Sequence, residues 1–310
     1  MNIKRHPAFR LLRPAGPLLP LAFCVAALLG RQGPVLGMLV ALYAVKLCAL
    51  ATADSLNATF ACQPSMKYVQ GSAVIALLIQ LPGAALAGLI LYMIPGTRAL
   101  LPLIPCGLLF NTEHVFYEYL YATGDRSSAI TVRCITAVLT LVGLLLCAPP
   151  LQGLSADACE SIWLVLTSGL SALVGMIIAA ALGGKIHPKL NLEVLRHAPV
   201  AMVQTALCPA LTLTALALLW PTTFTPAPLF AGLALYEACR TPFRRSALES
   251  GPMNRLLCTV SIASLLGGIL SRLITPGILA DAFAMTSVAL LIAALCAFGL
   301  FGSVKSQADY

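Results

Sequence analysis

Hydrophobic residues run along this chain in long unbroken stretches, each ended by charge, proline or glycine. That is neither the alternation of a half-buried strand nor the narrow stripe of a surface helix. Ten stretches stand out: 15–30, 35–53, 70–94, 99–122, 129–148, 161–184, 200–220, 226–243, 256–274 and 281–304. Most approach the roughly 20 residues an α-helix needs to cross about 30 Å of hydrocarbon. The pattern predicts an all-α, polytopic integral membrane bundle of about ten transmembrane helices. The first stretch is short and the turn Arg31-Gln32-Gly33-Pro34 is tight, so a re-entrant hairpin for the first two is the main rival to ten full spans. Little sequence lies between the stretches. The expectation is therefore a single transmembrane domain over 1–310, with possible halves 1–190 and 191–310, and no soluble domain.

Composition agrees with lipid as the main solvent. Of the 310 residues 59% are apolar and only 10% charged, and the mean hydropathy is +0.92. A soluble domain carries about 25% charged residues to cover itself with polar surface. The eleven cysteines form no CxxC pair, and most lie inside apolar stretches, where a free thiol behaves as a small hydrophobe. No metal-ligand spacing and no cofactor-binding motif is present.

The formal charge of +8 is not gathered on one basic face with interleaved aromatics, so nucleic acid is not an expected partner. Lys and Arg instead sit in short runs between stretches, the distribution that sets membrane orientation. With the N-terminus inside, fifteen fall on the cytoplasmic side, among them Lys4, Arg5, Arg126, Arg133, Lys185 and Arg244. Arg31, Arg98 and Arg272 fall outside and Lys46 lies within the second stretch. The expected topology therefore has both termini in the cytoplasm, most simply in a bacterial inner membrane. Basic residues before the first stretch imitate a signal peptide, but no small-x-small cleavage site follows, and a signal anchor is expected. The sequon Asn57-Ala58-Thr59 falls on the inner side in this topology.

Polar residues inside the stretches are few. An ionisable group at bilayer depth costs roughly 2.5–3.5 kcal/mol even on lenient scales, so such groups normally face a cavity or a partner. The fourth stretch carries FNTEHVFYEYLYATGDRSS, with Asn111, Glu113, His114, Tyr117, Glu118 and Tyr121. At helical spacing Glu113, Tyr117 and Tyr121 share one face, while His114 and Glu118 lie a turn apart beside it. Two carboxylates next to an imidazole suit a proton-coupled or cation-binding site. The plainer reading is an interfacial cap, with the Tyr rings at the headgroups and Glu118 already in water. In the eighth stretch Glu237 lies near mid-membrane with Arg240 one turn on, a pair able to neutralise itself. Lys46 is a candidate counter-charge to Glu113 or Glu237, and Gln80 and Gln204 are candidates to line the same cavity or to bridge helices.

Small residues mark helix contacts. Ser171, Gly175, Ala179 and Gly183 repeat every four residues, as do Ala84 and Gly88. That spacing lets backbones approach closely where lipid offers no hydrophobic drive.

Two segments carry a family resemblance. LYATGDRSSA followed by TVRCITAVLTLVGLLL resembles the fourth-to-fifth helix junction of the multidrug, oligosaccharidyl-lipid and polysaccharide exporters, with Gly124 and Asp125 at the turn. LRHAPVAMVQTAL is similar to the start of their second half, with Arg196 and Pro199 matching. Those exporters have more helices than the ten read here, in two equal halves, which would make this chain a shortened relative. The resemblance implies an exporter or flippase of a small-molecule or lipid-linked substrate, driven by protons or sodium. HExxH, GxSxG and Walker A patterns are missing, and no catalytic residue is assigned. Two alternatives stand beside transport: a membrane-embedded enzyme using Glu113, His114 and Glu118 on a lipid, and a non-transporting subunit of a larger complex.

Overall fold

A computed structural model describes residues 16–53, 66–123 and 126–182, with isolated positions between 192 and 234. Every regular element among these is helical: α1 (Leu18–Leu28), α2 (Gln32–Cys48), α3 (Met66–Met93), α4 (Ile104–Thr123), α5 (Arg126–Leu145) and α6 (Ala156–Leu182). A 3₁₀ segment, Arg98–Leu103, leads into α4, so the fourth apolar stretch is built as two pieces. Four helical spans are long and apolar enough to cross a membrane: Ala73–Met93, Arg98–Leu120, Ser127–Leu145 and Ala156–Ala181. Helices α1 and α2 are shorter, at 11 and 17 residues. At 1.5 Å per residue they extend about 16 and 25 Å. The stretches expected at 200–220, 226–243, 256–274 and 281–304 lie outside the residues described as continuous helices.

The turn between α1 and α2 forms one residue earlier than the Arg-Gln-Gly-Pro run suggests. Gly30 has φ +94°, and the Arg31 and Gly30 amides donate to Ala26 O (3.0 Å) and Ala27 O (3.2 Å). This closing pattern needs a left-handed residue, which glycine supplies without a Cβ clash. Gly33 and Pro34 then fall in the first turn of α2, where a missing proline N–H costs nothing.

Helix α4 is the hub, touching α2, α3, α5 and α6. Close backbone approach explains how one helix can serve four neighbours. A Cβ at Gly107 would lie 2.7 Å from Ala41 O of α2. The α6 stripe works in the same way against α4 and α5: a Cβ at Gly175 would collide with Thr136 Oγ1, and Ser171 Oγ pairs with Thr140 Oγ1 at 2.8 Å. Ala179 is buried as well. On α3 the expected pair divides. Ala84 is buried, but nothing lies within 4 Å of a Cβ at Gly88, and the close approach is made by Gly83 against Ala49. A contact stripe can be shifted by one position from its sequence register because a helix face is about three residues wide.

The ends of the bundle alternate. Arg31, between α1 and α2, donates through Nε to Leu144 O of α5 at 2.6 Å and pairs with Glu160 of α6. Leu100 and Leu103 of the 3₁₀ segment meet Gly37 near the start of α2. The α1–α2, α3–α4 and α5–α6 turns therefore share one end. Leu18, at the start of α1, packs at the other end with Tyr117, Leu120 and Ala129.

Candidate functional site

The polar run of α4 is buried inside the bundle. Glu113 is 0% exposed, and Asn111, His114, Tyr117 and Glu118 are all buried. Glu118, open in the sequence between a membrane site and a headgroup cap, lies inside the bundle at 2% exposure.

Their organising partner comes from α5. Arg133, two helical turns past Arg126, donates through Nη1 to Glu113 Oε2 at 2.7 Å. Its Nη2 lies 2.7 Å from His114 Nδ1. The guanidinium carbon sits 4.4 Å from the centre of the Tyr117 ring, a cation–π arrangement. Arginine has only donors, so His114 Nδ1 accepts; the imidazole is then neutral, with its proton on Nε2. That nitrogen faces Glu118 Oε1 at 3.8 Å. Thr136, one turn beyond Arg133, has its hydroxyl 3.3 Å from Glu113 Oε1 and 3.0 Å from Val132 O, and its single proton serves one of them at a time. Gly175 admits this cluster between α4, α5 and α6, because a Cβ there would also stand 3.2 Å from Glu113 Cγ.

Two sequence expectations are corrected here. Arg133 does not belong with the cytoplasmic charges: it is 3% exposed and inside the span Ser127–Leu145. Lys46 is not the counter-charge of Glu113, because Arg133 takes that place; the Lys46 ammonium lies 5.7 Å from the Tyr43 ring centre. The missed residue had a legible signal. Arg133, Thr136 and Thr140 are spaced by three and four residues along one side of α5; Arg133 and Thr136 meet Glu113 of α4, and Thr140 meets Ser171 of α6.

Lys46, Asn111, His114 and Arg133 come together in the wall of a cleft of about 40 Å³ between α1, α2, α4 and α5. Leu19, Phe23, Phe110, Phe230 and Leu233 form its apolar side. Asn111 and Arg133 each carry one buried polar atom, Oδ1 and Nε, with no hydrogen-bond partner among the described residues. Gln80 is buried on α3 and is not among the cleft residues. Glu237, Arg240 and Gln204 lie outside the described residues, as do the Tyr121 side chain and the Gly124, Asp125, Arg196 and Pro199 positions of the exporter resemblance.

Compared with protein-family models, curated proteins and solved structures, the chain matches none.

Proposed function

We propose that this chain is a membrane transporter of ten helices with both termini in the cytoplasm, an exporter or flippase of a small-molecule or lipid-linked substrate, driven by a proton or sodium gradient. The observation that carries the reading is the ionic cluster of Glu113, Arg133, His114 and Glu118, sealed among helices at membrane depth yet reaching a cleft through Arg133 and His114. Burying an ion pair is costly and gives little net stability against an apolar replacement. Charges held at such depth are typical of substrate and ion pathways. In this mechanism Arg133 is the pivot: it holds Glu113 while the cleft is empty, and a ligand or coupling cation entering the cleft competes for one of the two. The enzyme alternative is weaker because Glu113 and His114 Nδ1 are both occupied by Arg133.

The test is reconstitution of the full chain into liposomes, with NBD-labelled phospholipid for lipid movement and ethidium for cation export under an imposed proton gradient. Wild-type protein is expected to move one of these probes, and Glu113→Gln with Arg133→Gln, folded but uncharged, to move neither. A folded wild-type protein that moves neither probe, or equal movement by the double variant, sinks the proposal. The orientation has its own check. In a cysteine-free background an impermeant thiol reagent added outside cells is expected to label Asp157→Cys and leave Arg244→Cys untouched.

A further inference from the structure

Helix α3 buries two separate sets of residues. Ala84, Ala87 and Leu91, in its second half, belong to the main core. Ala73, Ile75 and Ala76, in its first half, join a smaller cluster with Ala53, Val115, Tyr119 and Met202. The break between the two sets falls between Gln80 and Gly83. Gln80 is buried, and its Oε1 has no hydrogen-bond partner among the described residues. Pro82 lies inside the helix; it has no N–H for the Leu78 carbonyl, which weakens the ladder there. Sharp helix bends are nearly always found at such positions.

The end of α2 is strained against this same point. Leu50 and Ala51 both take left-handed backbone, with φ +53° and +44°, a region that a Cβ makes costly. Their amides close on Leu47 O at 3.0 Å and Lys46 O at 2.6 Å. Ala49, just before them, presses on the residue that follows Pro82: a Cβ at Gly83 would stand 2.8 Å from Ala49 Cβ. Ala53, two residues past the left-handed turn, packs in the smaller cluster with the first half of α3. Strain of this kind persists only where the surroundings enforce it, and here it carries the chain from α2 onto that half of α3.

What the first half of α3 covers gives the joint a use. Val115 and Tyr119 of α4 are buried in the smaller cluster. Glu118 lies three residues past Val115 and next to Tyr119, on the same side of α4. It is buried and stands 3.8 Å from His114 Nε2, and the imidazole leads on to Arg133 and Glu113.

We infer that residues 70–81 form a hinged arm that closes the ionic cluster from solvent at the end of the bundle opposite the α1–α2, α3–α4 and α5–α6 turns. Pro82 is the hinge, and the strained end of α2 favours release. In the closed form Ala49 abuts Gly83 and the arm covers Val115 and Tyr119. In the open form the arm swings off α4, the end of α2 relaxes to right-handed backbone, and water reaches Glu118. The inference deepens the transport reading by naming the part that moves, and rests on it only for the purpose of the motion.

Double electron–electron resonance on the spin-labelled full chain in liposomes tests the arm, in a cysteine-free background. Labels at Leu78 and Ile177, both exposed, report the arm against α6; labels at Leu89 and Leu166, also exposed, report the second half of α3. The first pair is expected to show two distances and the second pair one. Leu50→Gly with Ala51→Gly removes the left-handed strain of the closed form and should raise the closed-to-open ratio about tenfold. Gly83→Ala should lower that ratio, because the added methyl meets Ala49. Pro82→Ala restores the missing helical bond and should leave the first pair at the closed distance. Alkylation of Tyr119→Cys by a water-soluble maleimide should follow the same order, slowest in the double glycine variant and fastest in Gly83→Ala. If Gly83→Ala fails to fold, the double glycine variant and Pro82→Ala decide the matter by themselves. A Leu78–Ile177 distribution unchanged through the folded variants overturns the proposal, because no arm then moves. Equal changes at both label pairs also overturn it, because α3 then moves as one rigid body. Distances that respond to the variants, with no probe moved in liposomes, remove the transport reading and leave the hinge standing; probe movement with one fixed distance does the reverse.

Discussion

Two arginine–glutamate pairs bracket the described bundle, and they differ in almost everything except their chemistry. Glu113 and Arg133 are 0% and 4% exposed at the side chain, joined across α4 and α5, with His114, Tyr117 and Thr136 completing the shell. Arg31 and Glu160 are 20% and 24% exposed at the end where the odd-to-even helix turns collect. Arg31 spreads its donors over two backbone carbonyls as well as the carboxylate, at 2.6 Å to Leu144 O and 3.4 Å to Leu146 O. It therefore caps the C-terminal end of α5, where carbonyls lack helical partners and a cation is favoured. The outer pair is a clasp between two turns whose value lies largely in those carbonyls. The inner pair is a charge balance, and removing either member strands the other in a dry interior.

The widest separation between the two should come from single neutralisation of the inner pair. Arg133→Gln or Glu113→Gln is expected to cost about 3–5 kcal/mol by leaving one buried charge unopposed. The loss should appear as a lower unfolding midpoint and a smaller monodisperse fraction in detergent. Neutralising both should recover most of it, because a well-packed uncharged pair is often no less stable; a double variant as unstable as the singles would show that shape, not charge, holds the site. This outcome also changes how Glu113→Gln must be read in any transport assay, since loss of activity there includes loss of folding.

Next in size is the packing behind the inner pair. Gly175→Leu should cost about 1–3 kcal/mol or prevent assembly, because its side chain would enter the space of Thr136 and Glu113. Leu170→Ala, on the 61% exposed face of α6, is the control expected to do little. Leu164 on the same helix, which an apolar run alone would equally allow to face lipid, cannot serve as the control, because it is 2% exposed and packed in the core. The outer clasp should respond least. Arg31→Ala is expected to cost about 1 kcal/mol through the carbonyls it abandons, and Glu160→Gln under about 1 kcal/mol, as for exposed pairs generally. Salt sharpens the contrast: raising ionic strength toward 1 M should shrink the Glu160→Gln effect and leave that of Glu113→Gln nearly unchanged, since only solvent-accessible charges are screened.

The helical class and the first six helix positions were legible because lipid imposes a length and polarity on each span, and a run of apolar residues records both directly. Six of the predicted stretches correspond to α1–α6, with ends shifted by a few residues. The polar run from Asn111 to Glu118 was legible as a site for the same reason: ionisable groups are conspicuous against Leu and Ala. Helical spacing also brought Glu113 and Tyr117 to one face, and both meet Arg133.

What the sequence could not supply was the partner across the interface. Lys46 and Arg133 were equally good cations by type, and counting charge by loop sent Arg133 to the cytoplasm because it stands seven residues from Arg126 near a helix start. Only the approach of α5 to α4, allowed by glycine on α6, decides that Arg133 reaches Glu113 while Lys46 lies beside Tyr43. The same holds for Leu164 and Gly88, whose burial depends on which side of a helix a neighbour occupies. Composition and hydrophobic period determine that helices form and what solvent surrounds them, because those are properties of one segment in one environment. Pairing and burial are properties of two segments at once, and the tertiary structure alone carries them.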